Sequence, residues 1–172
     1  GDWLAVLHTQ MQLAWSRDEA LVYVTRPNRQ PLLTEPAVRV NRALDRGIVL
    51  YGYSLSNHAA WRPGDVLPLT LYWMTSQPIP TDYTVFVHLR DAHAVTLAQR
   101  DSRPLDGIYP TSRWRPDEII VDPQPVSLPD DLVPGDYALW VGMYRLDTME
   151  RLPVADATDG EQAVRLGSIR VE

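Results

Sequence analysis

Four histidines and twenty-two carboxylates are the groups in this chain able to move protons or hold a metal. His8, His58, His88 and His93 show no His-Glu-x-x-His spacing or other ligand pattern. His88 alternates with Phe86 and Arg90 and stands opposite Val85, Val87 and Leu89, which reads as a hydrogen-bonded histidine on a sheet face. A glycosidase needs two carboxylates ~5–10 Å apart. Asp101, Asp106, Asp117, Glu118 and Asp122 offer candidates, but loop aspartates more often accept backbone N–H bonds in turns, so a glycoside hydrolase is a remote reading. Calcium is the better use of such oxygens: Asp101, Asp106 and Asp122 could ligate it together with loop carbonyls. The segment Asp156 to Glu161 also carries closely spaced oxygens, without the full calcium-loop pattern. No Gly-x-Ser-x-Gly elbow, P-loop or dinucleotide fingerprint occurs, and with no cysteine, thiolate catalysis and Cys-based zinc sites are excluded. No catalytic residue is assigned, and the chain is not expected to be an enzyme.

Aromatic residues suggest binding instead. Sugar-binding sandwiches stack the apolar face of a sugar on an exposed ring, with Asp and Arg side chains bonding the hydroxyls. Trp61, Tyr109 and Trp114 fall in predicted loops with Arg113, Arg115 and Asp106. The candidate patch is therefore Trp114, Tyr109, Trp61, Arg113 and Asp106. A second reading makes Trp114 a lid over the core. The stretch from Asp101 to Asp122 is proline-punctuated, and a crossover of ~15 residues without secondary structure stays ordered only if its own side chains pin it. That spacing favours the lid. Trp73 and Trp140 fall inside strands, Trp140 alternating with Tyr144 on the face opposite Leu139, Val141 and Met143.

The elements that must position these groups are mostly strands. Fifteen prolines in 172 residues imply many turns and few long helices. Candidate strands run over 37–44, 48–56, 66–75, 83–90, 95–100, 118–126, 135–144 and 164–171, with a short one at 151–154. In 66–75, Leu67, Leu69, Leu71 and Trp73 share one face. Arg62-Pro-Gly-Asp65, Arg115-Pro-Asp-Glu118 and Val133-Pro-Gly-Asp136 read as turns that launch strands. The fold class is mainly β: an antiparallel β-sandwich, immunoglobulin-like or jelly-roll, of roughly eight or nine strands. Residues 1–35 read as a short α/β extension and linker, with a buried strand at 3–8, a helix capped by Thr9 and Gln12 running to Arg17, and a strand at 21–25. Residues 36–172 are the sandwich. A net charge of −6 with arginine as the sole basic residue argues against nucleic acid. No apolar run approaches the ~20 residues of a membrane span. A start at Gly1 fits a piece of a longer protein, so the missing leader is uninformative.

A string of motifs recurs in family order: Leu50-Tyr-Gly-Tyr-Ser-Leu55, Arg62-Pro-Gly-Asp65, Leu71-Tyr-Trp73, Tyr83-Thr-Val-Phe-Val-His-Leu89, Asp101-Ser102, Tyr109-Pro-Thr-Ser-Arg-Trp114, Asp122, Pro134-Gly-Asp-Tyr137, Val141-Gly-Met-Tyr144 and Arg151-Leu-Pro153. Over about 40–171 the chain resembles the β-sandwich domain appended C-terminally to bacterial multi-spanning glycosyltransferases of the dolichyl-phosphate-mannose or lipid-linked-sugar type. The catalytic aspartates of those enzymes lie near their first membrane helices, and nothing here matches them. The resemblance implies a soluble, extracytoplasmic accessory domain attached to a membrane protein, with the membrane-embedded portion of the parent as partner. A carbohydrate-binding module is the alternative, with a glycan as ligand. No cofactor is expected beyond the calcium candidate.

Overall fold

The computed structural model describes residues 11–17, 20–25, 35–56, 58–155, 157 and 162–172. The expected strand at 3–8, His8, most of the expected linker 26–36 and the acidic segment 156–161 fall largely or wholly outside them. The chain forms two compact units, Gly1–Thr34 and Glu35–Glu172. In the first, β1 (Met11–Arg17) pairs antiparallel with β2 (Ala20–Thr25). This corrects the expected helix to Arg17. Met11, Leu13 and Trp15 alternate with Gln12, Ala14 and Ser16, a period of two as well as a helical face, and a β-branched neighbour strand decides between them.

The second unit is mainly β and antiparallel, and carries two four-stranded sheets. One has the order β3 (Val38–Ala43), β4 (Ile48–Ser54), β6 (Thr70–Thr75), β9 (Ile120–Pro123). The other has the order β12 (Val164–Val171), β11 (Gly135–Tyr144), β7 (Thr84–Arg90), β8 (Thr96–Ser102). A small bridge of β5 (Val66–Leu67) with β10 (Val126–Ser127) completes it. The predicted strand 66–75 is split at Pro68, which cannot donate to a ladder, and its two halves pair with different partners. The 151–154 strand is reduced to isolated bridges, Tyr144 to Arg151 and Leu44 to Val154.

Alternation holds the core together. Leu67, Leu69, Leu71 and Trp73 are all buried, as are Val85, Val87, Leu89, Leu139, Val141 and Met143. Each removes an apolar side chain from water at about 1.5–3 kcal/mol for a residue of this size. Strand β7 is buried at every position, so its outward face is covered too. There Phe86 packs with Tyr144 and Ala163 and lies over Gly142, where a Cβ would collide with its ring. His88 sits beside Phe86, with ring centroids 4.8 Å apart, and its Nδ1 is 3.4 Å from an Arg90 guanidinium nitrogen. The Arg90 guanidinium covers the half-buried Trp140 ring at 5.3 Å. His88 is thus a buried sheet-face residue packed among an aromatic ring and an arginine.

The launch turns differ in detail. Gly64 takes φ 82°, and the Arg62 backbone N–H donates to Asp65 Oδ2. At 115–118 the left-handed position is held by Asp117, φ 63°. Gly135 opens β11 and is absent from the positive-φ glycines, so the third launch is not the same turn.

Candidate functional site

The crossover between β8 and β9 is pinned by its own side chains. Trp114 is 3 % exposed, its ring 6.5 Å from that of the core residue Trp73, and its indole N–H donates to the Tyr109 carbonyl. Tyr109 is also buried and its hydroxyl donates to Glu118. Thr111, fully buried, accepts from the Tyr83 backbone N–H and donates to the Thr81 carbonyl. The expected sugar platform is therefore absent from this arrangement. Trp61 is tied to a different element, bridging Val171 through its backbone, and is also buried. Arg113 and Asp106 are exposed, and Arg100 holds Asp106 at 2.7 Å. Burial of the three rings leaves no face for a sugar, and the five residues do not form one patch.

The three aspartates expected at a calcium site are each bonded to other protein groups. Asp122 is fully buried, accepting from the Leu105 backbone N–H (2.8 Å), the Gln124 amide (3.0 Å) and the Trp73 indole (3.3 Å). Gln124 in turn accepts from Ser102 and Arg100, which ties the segment just after β9 to β8 in the other sheet. Burial raises the Asp122 carboxyl from 3.8 to about 6, against the pull of these hydrogen bonds. Asp101 is exposed and hydrogen-bonds Tyr144, whose hydroxyl is raised first by burial and then by that contact. Among the described residues no three His, Asp or Glu side chains are placed to hold a metal.

Open space with polar groups around it lies elsewhere in the unit. A basin of about 270 Å³ is lined by Asp45, Arg46, Tyr83, Arg145, Glu150 and Arg151, with prolines and Leu152 completing the wall. It falls just below the usual size of ligand sites, which run about 300–1,000 Å³. Three segments far apart in sequence converge there. The Asp45 N–H bonds the Pro153 carbonyl, the Ser76 N–H bonds the Gly47 carbonyl, and Arg145 N–H bonds the Glu150 carbonyl. Gly47 is required at this crossing: its φ is 76°, and a Cβ would come within 2.7 Å of Ser76 Oγ. Arg46 also takes a left-handed φ of 62°, with its N–H on the Asp45 carboxylate and its side chain 3.5 Å from it. Arg145 binds Asp147 with two nitrogens, at 3.1 and 2.6 Å, a pairing that raises the arginine and lowers the aspartate. The Arg151 guanidinium lies 4.6 Å over the Phe86 ring.

None of the residues expected from sequence lines this basin. Asp45-Arg46-Gly47 reads as a turn and Arg151-Leu-Pro153 as a family motif, and no spacing along the chain shows that they meet. Among the described residues no helix is long and apolar enough to cross a membrane.

No protein-family model matches the chain, and no curated protein does. Among solved structures, one described as "Crystal structure of the C-terminal domain of wzt" is similar at 13 % sequence identity and a TM-score of 0.43, over 81 % of this chain and 83 % of that one. A likeness this distant carries no functional argument. The chain is a mainly β, antiparallel domain, and its use is argued from its own residues.

Proposed function

We propose that this chain is a non-catalytic accessory domain that binds carbohydrate, carried on the extracytoplasmic side of a membrane-bound glycosyltransferase-like protein. The observation that carries the binding half of this reading is the basin. Arginine donors and carboxylate acceptors stand around one small concavity with Tyr83 and proline walls. A sugar presents hydroxyls that both donate and accept, and C–H faces that pack on apolar walls, so this mixed lining suits it better than an apolar ligand. Non-catalysis is supported by the placement of Asp122. Its carboxyl has the shifted acidity a general acid needs, but it is fully buried under Trp73, Leu105 and Gln124 and meets no open space. The transferase association rests on the family resemblance of residues 40–171. Leu146 and Met149, 56 % and 65 % exposed in the turn leading to the basin, are suited to contact the membrane-embedded portion of such a parent.

A panel of immobilised bacterial glycans tests the reading, probed with the wild type and with Asp45→Asn/Glu150→Gln. Binding of at least one glycan, weakened about tenfold or more by the double change, is expected from the loss of two charged acceptors. Absence of wild-type binding across the panel sinks it.

A further inference from the structure

The connection from β6 to β7 supplies Gln77, Pro78, Pro80, Thr81 and Tyr83 to the basin wall. β6 ends at Thr75 and β7 begins at Thr84, so this wall lies outside both strands. Its two prolines have no N–H to give, and its placement has to be set by something other than a sheet ladder. Ile79, buried, anchors it on the apolar side. At its far end the Thr111 hydroxyl, carried by the β8–β9 crossover, is inserted between two wall residues. It accepts from the Tyr83 N–H at 2.9 Å and donates to the Thr81 carbonyl at 2.8 Å. One residue on, the Ser112 N–H donates to the Asp82 carboxylate at 3.1 Å. Thr111 is fully buried, and neither it nor Asp82 lines the basin. Three consecutive residues at the wall are thus fastened from behind, by partners 28 to 30 positions further along the chain.

We infer that Thr111 is a positioning residue of the basin: its hydroxyl holds the 81–83 wall where a bound sugar packs, without touching the sugar. This rests on the carbohydrate reading of the basin given above. A wall already in place need not be ordered when the ligand arrives, and the two Thr111 bonds remove that ordering cost. Thr111→Val keeps the shape of the side chain and removes both bonds, leaving a buried N–H and a carbonyl without partners. The wall then loosens, and each ligand has to gather it again. Thr111→Ser keeps the hydroxyl and with it the site.

The immobilised glycan panel tests this, probed with wild type, Thr111→Val, Thr111→Ser, Asp82→Ala and Trp114→Ala below the melting temperature of each. Amide hydrogen exchange of the free proteins accompanies it. Every glycan bound by wild type is expected to lose about tenfold in affinity with Thr111→Val and about threefold with Asp82→Ala, and to stay within about twofold with Thr111→Ser. Exchange of the Tyr83 amide should quicken in Thr111→Val and not in Thr111→Ser. Trp114→Ala removes packing from the same crossover but neither Thr111 bond, and should bind as wild type does. Wild-type affinity in Thr111→Val, or in Asp82→Ala where Thr111→Val does not fold, overturns the positioning role and leaves the carbohydrate reading standing. An equal loss in Thr111→Val and Trp114→Ala, or no rescue by Thr111→Ser, also overturns it, as a general loosening of the crossover. A panel that wild type does not bind overturns both.

Discussion

Between Asp101 and Asp122 the buried rings and the buried carboxylate are matched by partners within the fold; around the basin, charged side chains line open space. Arg100 holds Asp106 and Gln124, Trp114 donates to Tyr109, and Tyr109 donates to Glu118. Asp122 takes three donors and is sealed. Asp45, Glu150 and Tyr83, by contrast, line an open cavity. Chemically loaded residues are evidence of function only where the fold has not already matched them. A long ordered crossover must match them, because its backbone has no ladder to do so.

The largest break in this comparison comes from Trp114→Ala. Removing a buried indole from the crossover is expected to cost about 3–5 kcal/mol, read from urea unfolding. Ligand affinity of the protein that remains folded should be unchanged. A loss of affinity with stability intact would return Trp114 to the binding surface.

Asp122 gives a pH-dependent counterpart. Its folded pKa, about 6, stands above the unfolded value of 3.8, so the folded state holds the proton more tightly. Its stabilising contribution is full below about pH 3.8 and is lost as pH rises through about 6, a change of roughly 3 kcal/mol. The difference in unfolding free energy between wild type and Asp122→Asn isolates it from the other carboxylates. That difference should move against wild type between pH 4 and 6. A flat difference would mean that Asp122 is not buried as described.

The sandwich was legible because alternation writes strands directly into the chain. Leu67, Leu69, Leu71 and Trp73 share a buried face as their spacing requires, and Val85, Val87 and Leu89 do the same in β7. The lid role of Trp114 followed from the length of the crossover, and its burial agrees with that argument. Met11 to Arg17 was misread because seven residues fit two periods, and the pairing with β2 that decides between them is not local. The basin was illegible for a stronger reason. Gly47 meets Ser76 at the end of the β4–β6 ladder, and Asp45 meets Pro153 only once residues 151–154 have folded back beside it.

The most direct test of the binding claim is the footprint of a glycan on the amide resonances of the protein. Titration with a glycan that binds is expected to shift residues 45–47, 77–83 and 145–153, with Thr111 and Ser112 following through their hydrogen bonds to Thr81, Asp82 and Tyr83, while leaving the indole N–H resonances of Trp114 and Trp61 in place. Shifts concentrated at 109–115 and around Trp61, with the basin unmoved, would contradict the account and restore the aromatic patch.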